Sequence, residues 1–185
     1  MDAVTTLPWS RPLTIADLET MPDDGHRYEL LDGTLLVTPA PSLSHQTVVP
    51  RIWRSLENAR PADLRVLVAP FDVVLADDTV LQPDVLVARQ GDLTERNLPA
   101  APVLAVEVLS PSTQRIDRFL KHSRYAAAGV EHYWIIDPNE PSLVAYVLGA
   151  DGIYHEVARV QGAETYAATA PFDVQITPAQ LIADR

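Results

Sequence analysis

A single lysine, Lys121, stands among thirteen arginines in this 185-residue chain. It follows Glu107 by fourteen residues, and Glu107 is the one charge in the apolar run Val103-Leu104-Ala105-Val106-Glu107-Val108-Leu109. Upstream, Pro83-Asp84 opens a second apolar run, Val85-Leu86-Val87-Ala88. One acid leads a buried strand, another interrupts the next strand, and a lone ammonium follows on a helix. Two carboxylates can hold a hard divalent cation through oxygen. A compact ammonium beside them can steady a hydroxide or the charge that develops on a phosphate. Metal-dependent phosphodiester cleavage needs these groups.

Glu107 carries the most physical information. A near-continuous aliphatic strand suggests burial on both faces of an α/β sheet. A bare carboxylate there costs several kcal/mol, or raises its pKa and takes up a proton. A bound cation or a cationic neighbour removes that cost. The plainer reading is a strand-end glutamate that reaches solvent or an arginine. Asp117 and Lys121 are spaced i,i+4, which an ordinary helix ion pair also explains. Arginine serves the rest of the chain, so a retained lysine suggests a need for a compact point charge.

These groups need strands and a helix to bring them together. Thr14 can cap a short helix reaching Leu18. The stretches 27–31 and 34–37 flank Asp32-Gly33, a strong signal for a type I′ hairpin. Alternation puts Glu29 and Leu31 on one face, and Tyr28 and Leu30 on the other. Ser42 or Ser44 opens a helix towards Asn58, with Val48, Ile52, Trp53 and Leu56 as its apolar stripe. Pro50 should kink that helix or delay its start. Strands are expected at about 65–69, 71–76, 84–88 and 103–109.

Ser110-Pro111-Ser112-Thr113 then starts a helix from about Gln114 to Ala127, with Gly129 beyond its end. At about 100° per residue, Ile116, Phe119, Leu120, Ser123 and Ala127 form its core face. Asp117, Lys121 and Arg124 fall on the flank. A strand at 132–136 follows, then a hairpin of residues 142–148 and 153–158, and a C-terminal helix begun by Thr177-Pro178. Strands mixed with helices predict a mixed α/β sheet in one domain spanning 1–185.

Composition sets the outer bounds. Hydrophobic residues make up 47% of the chain, so it is globular. No apolar run approaches the roughly 20 residues of a membrane helix, and no membrane association is expected. The opening Met1-Asp2-Ala3-Val4-Thr5-Thr6 lacks the basic and apolar regions of a signal peptide. There is no cysteine, which excludes disulfides and thiolate chemistry and fits a cytoplasmic protein. The net charge of −11 argues against non-specific nucleic-acid binding. Local groups run the other way: Arg115, Arg118, Lys121 and Arg124 cluster in one stretch, and Arg51, Arg54, Arg60 and Arg65 in another. No Walker loop, G-x-G-x-x-G or G-x-S-x-G motif is present, and the histidines lack zinc-site spacing.

The ordered motifs Tyr28-Glu29-Leu30-Leu31-Asp32-Gly33, Pro41-Ser42 with His45-Gln46, and Gln82-Pro83-Asp84-Val85 share a pattern with the later ones. Those are Glu107-Val108-Leu109-Ser110-Pro111-Ser112-Thr113, Asp117, Lys121, Tyr125, Gly129-Val130 and Tyr133-Trp134-Ile135-Ile136-Asp137. With these stretches the chain resembles the Uma2 family, within the PD-(D/E)XK nuclease superfamily, over about residues 14 to 140. The resemblance implies an α/β restriction-endonuclease-like core, with a central mixed sheet, flanking helices and hairpins at both ends. It implies a DNA endonuclease using Mg2+ or Mn2+, held by Asp84, Glu107 and Val108, with Glu29 as a third acid. His45, Arg118 and Arg124 would contact substrate, and a homodimer would cut both strands. The superfamily pattern wants lysine two residues after the second acid. Leu109 stands there, and Lys121 is the candidate for the displaced lysine. Alternatives are a non-catalytic module that keeps the fold and binds nucleic acid or protein, and a phosphoesterase acting on RNA or nucleotides.

Overall fold

Asp32 and Gly33 both take left-handed backbone, with φ of 48° and 73°. A type I′ turn requires this, and it joins β1 (Arg27–Leu31) to β2 (Thr34–Thr38). A side chain at position 33 would also collide with Pro12. The computed structural model describes residues 11–111 and 113–183. The expectations placed on the first six residues and on Ser112 lie outside them.

The N-terminal hairpin does not stand alone. With β4 (Asp72–Ala76), β5 (Thr79–Leu81) and β7 (Asn97–Leu98) it forms a five-stranded sheet in the order β2-β1-β5-β4-β7. The sequence patterns missed β5. It is only three residues long and leaves the turn at Asp77-Asp78 directly, too short for a period to show.

The second sheet has six strands. In addition to β3 (Leu64–Val68), β6 (Val85–Arg89) and β8 (Leu104–Val108), it contains β9 (His132–Asp137), β10 (Ser142–Leu148) and β11 (Tyr154–Gln161). Its order is β11-β10-β9-β8-β6-β3. Only β8 and β9 pair in parallel within it; the other pairs are antiparallel. β8 and β9 are buried on both faces, which explains their unbroken apolar sequence. The result is the expected mixed α/β architecture with hairpins near both ends.

α1 (Ile15–Leu18) lies ahead of β1, and α2 (Leu43–Ala59) is the first long helix. The side chain of Ser42 accepts a hydrogen bond from the His45 amide at the start of α2. α2 runs unbroken through Pro50, whose ring faces solvent, and buries Val48, Ile52 and Leu56. Trp53 sits at the margin and donates its indole N–H to the Val66 carbonyl. Val48, Ile52 and Leu56 join Val85, Val87, Val106, Val108 and Trp134 in the larger core. α4 (Pro178–Ile182) packs on α2. Among the described residues no helix is long and apolar enough to cross a membrane.

The crossover from β8 to β9 contains α3, a π-helical stretch, Ile116–Lys121, that continues as α-helix, His122–Ala127. Its orientation corrects the core face expected from apolar periodicity. Phe119 is 65% exposed and Leu120 50%, whereas Asp117, Lys121 and Tyr125 are buried. The helix turns a charged stripe inwards because the partners of that stripe are inside.

Candidate active site

The strand register builds the site. β6 and β8 pair antiparallel with Val85 opposite Val106. Continuing that register by one step sets Asp84 opposite Glu107. Directly opposed residues share a face of the sheet, with Cβ atoms about 5 Å apart. The Val108 amide donates to Asp84 Oδ2 at 2.8 Å and fixes the aspartate at this corner. Val108 therefore orients an acid through its N–H, and only its carbonyl is left as an oxygen donor.

Glu29 comes from the other sheet. Its Oε1 accepts the Gln82 amide at 2.8 Å, so the residue two before Asp84 ties β1 to this corner. Arg27, two residues earlier on the same strand face, bridges the acids. It lies 3.0 Å from Asp84 Oδ1 and 3.3 Å from Glu29 Oε2.

α3 supplies the remaining charges. Lys121 Nζ lies 2.9 Å from Glu29 Oε1, 3.1 Å from Glu107 Oε1 and 3.8 Å from Asp117 Oδ1. The Tyr125 hydroxyl donates to the same Glu107 oxygen at 3.0 Å, leaving Oε2 uncommitted to either donor. Tyr133 donates to the Asp117 carbonyl at 2.8 Å and braces the π-helical turn. Such turns recur at functional sites because they re-aim side chains within a helix. His45, from the first turn of α2, sets Nε2 3.0 Å from Asp84 Oδ2.

The two central acids differ electrostatically. Burial pushes both carboxyls up. At Asp84 the hydrogen bond and charge of His45, then the charges of Arg27 and Lys121, prevail and carry the pKa down to about 2. At Glu107 burial raises the pKa well above 4.5; Lys121 opposes this, and Asp84, Asp117 and Glu29 add to the rise. Burial also works to lower the Lys121 pKa, but Glu107, Glu29 and Asp117 outweigh it and hold the amine charged. The surrounding acids thus favour Lys121 as a cation in this site. Tyr125 is raised well above 10 by burial and then by Glu107, so it stays a hydroxyl donor.

Fully ionised, Asp84, Glu107, Glu29 and Asp117 exceed Arg27 and Lys121 by two charges, or by one when His45 is protonated. A buried surplus of acid is answered either by proton uptake, the direction in which the Glu107 pKa moves, or by a divalent cation. Among the described residues no three acids or imidazoles converge as a ready-made cation cage. Mg2+ does not need one, since it is commonly held by one or two carboxylates and keeps several waters. Asp84 and Glu107 could serve as oxygen donors to such an ion, since both line a cleft of about 830 Å3. Arg27, His45, Tyr28 and Ser110 line it too, whereas Glu29 and Lys121 sit behind the acids.

Arg118 and Arg124 are not brought to this cleft. Arg118 lies 3.4 Å from Asp137, and Arg124 lies 3.1 Å from Asp32 and 3.6 Å from Asp78. Each is drawn aside by an acid at the end of a strand or in a turn. Conversely, Arg27, Gln82 and the Tyr125 hydroxyl belong to the site and were not singled out for it from sequence. The period-two spacing of Arg27 and Glu29 was the available signal.

A solved structure from Anabaena variabilis ATCC 29413, described as a "putative nuclease belonging to DUF820", superposes with a TM-score of 0.75. The match covers 92% of this chain and 98% of that one at 16% identity, which shows a shared fold. No curated protein matches the chain. The family model Uma2, described as "Putative restriction endonuclease", matches residues 15–179. With nearly the whole length matched, the chain belongs to the Uma2 family.

Proposed function

We propose that this protein is a divalent-metal-dependent nuclease that hydrolyses phosphodiester bonds in DNA. Asp84 and Glu107 would hold Mg2+ or Mn2+, with Glu29 as a supporting acid. One observation carries the reading: two acids opposed across β6 and β8 line a cleft, and a buried lysine stands behind one of them. When bound, such an ion would polarise the phosphate and offset its charge.

The protein's own groups have separate tasks. Tyr125 and Lys121 hold Glu107 Oε1 and so fix the orientation of the other oxygen. Lys121 keeps Glu29 and Glu107 from repelling each other and contributes a fixed positive potential behind the reacting phosphate. Arg27 and His45 hold Asp84 ionised.

The existing partners of Asp84 favour a second reading, a nucleic-acid- or protein-binding module that keeps the fold without catalysis. Arg27, His45 and the Val108 amide already satisfy its carboxylate. Incubation with supercoiled plasmid in Mg2+ or Mn2+ separates the two. Cleavage of plasmid, or of single-stranded DNA in a parallel reaction, that disappears in Asp84→Ala supports the nuclease; no cleavage of either with either ion supports the module.

A further inference from the structure

The cleft beside the acids has the wrong lining for a duplex. Its only lysine or arginine among the described residues is Arg27, which already bridges Asp84 and Glu29. Asp23 and Asp72 add negative charge to the lining. The chain as a whole carries −11. Duplex binding draws its affinity from lysines and arginines tracking two phosphate backbones, and no such track runs here.

Rings and apolar walls are present instead. Tyr28 and His26 line the cleft, with ring centroids 6.3 Å apart and planes inclined by 58°. One carboxylate pins both rings: Asp24 Oδ2 accepts the Tyr28 hydroxyl at 2.9 Å, and Oδ1 lies 2.9 Å from His26 Nδ1. Met21, Pro39 and Pro41 supply apolar surface nearby. Tyr28 alternates with Arg27 and Glu29 along β1, so the platform and the acids are joined not by the strand face but by one cleft, which Tyr28, His26, Asp84 and Glu107 all line. The volume of about 830 Å3 lies in the range of small-ligand pockets, large enough for an unstacked nucleotide.

We infer that the cleft takes an unpaired stretch of nucleic acid, with a base packed on Tyr28 and His26 and the neighbouring phosphate delivered to Asp84 and Glu107. This rests on the nuclease reading for the second half only. Stacking on an aromatic platform tolerates any base, because every base presents a π-face. A single strand also has a lower charge density than a duplex, so fewer cations are needed.

The test is fluorescence anisotropy of the full chain with labelled single-stranded DNA, single-stranded RNA and duplex DNA of the same sequence, in Ca2+ to suppress cleavage. Single strands should bind at least about tenfold tighter than the duplex, and the DNA and RNA arms identify the source. Tyr28→Ala should weaken single-strand binding by about tenfold, the effect of losing one stacking partner. Tyr28→Phe, which keeps the ring but not the bond to Asp24, should restore most of the loss. Duplex bound as tightly as single strand, no binding of either, or indifference to Tyr28→Ala would overturn the inference. Preferential single-strand binding without cleavage in Mg2+ or Mn2+ would uphold it and remove the catalytic reading. Equal cleavage of duplex and single strand would do the reverse.

Discussion

The Lys121 ammonium lies 3.1 Å from Glu107 Oε1, although fourteen residues separate them in sequence. Side chains on a helix lean towards its N-terminus, so a lysine one turn into α3 points back at the strand that feeds the helix. The helix can therefore supply the charge that Leu109, facing the core, cannot. Lys121 does more than pair with Asp117, since Glu29 and Glu107 are both nearer.

Replacing Lys121 should reveal both of its tasks. Lys121→Arg keeps the charge but puts a broad guanidinium into a fully enclosed site. Cleavage should fall on the order of 10²-fold, as it does when a charge-stabilising group is displaced. Lys121→Met leaves buried acids uncompensated and should cost about 3–5 kcal/mol at neutral pH. Denaturant unfolding checks this, and Glu107→Gln in the same chain should recover part of the loss.

Single substitutions at the two central acids should diverge in stability. Both Asp84→Asn and Glu107→Gln should abolish cleavage. Burial and the neighbouring acids raise the Glu107 pKa, so Glu107→Gln, which removes a buried like-charged carboxylate, should hold or raise the metal-free melting temperature. Asp84 is stabilised as an anion, its pKa carried from 3.8 to about 2. Asp84→Asn should therefore cost on the order of 2 kcal/mol at neutral pH. Equal melting temperatures for the two variants would contradict this asymmetry.

The pH dependence follows with opposite signs. The raised Glu107 pKa stabilises the metal-free fold fully below its ordinary value of 4.5, and that contribution is lost as pH rises through the raised value. The depressed Asp84 pKa stabilises above 3.8 and is lost as pH falls towards about 2. Melting curves without metal should show both losses. Saturating Mg2+ should flatten the loss on the high-pH side, because the ion favours the ionised form of Glu107. A Mg2+ affinity that does not rise with pH would contradict the coupling.

Arg118→Ala and Arg124→Ala should leave cleavage within about twofold and stability within about 1 kcal/mol, as expected for partly exposed ion pairs. Steady-state rates and melting curves check this. A large loss of rate would mean that these arginines swing from Asp137, Asp32 and Asp78 to the substrate.

Asp84 and Glu107 were legible in sequence because an acid in an apolar strand conflicts with burial and must have a partner. The Asp32-Gly33 hairpin was legible because only certain residues accept left-handed backbone. Arg27 was not, since an arginine alternating along a strand looks like any solvent-facing residue. The inward face of α3 was misjudged for a related reason. Hydrophobic periodicity ranks Phe119 and Leu120 as core and lysine as surface, yet an ion cluster with its partners in place reverses that order. The π-helical turn also breaks the 100° period on which the ranking depends. Tertiary partners decide both points, and a local pattern does not contain them.

The most direct test of the central claim is Mn2+ anomalous diffraction from crystals of the wild-type chain. The predicted result is a peak about 2.1 Å from one oxygen each of Asp84 and Glu107, with Lys121 still against Glu107. No peak at saturating Mn2+, or a peak that avoids both carboxylates, would contradict it.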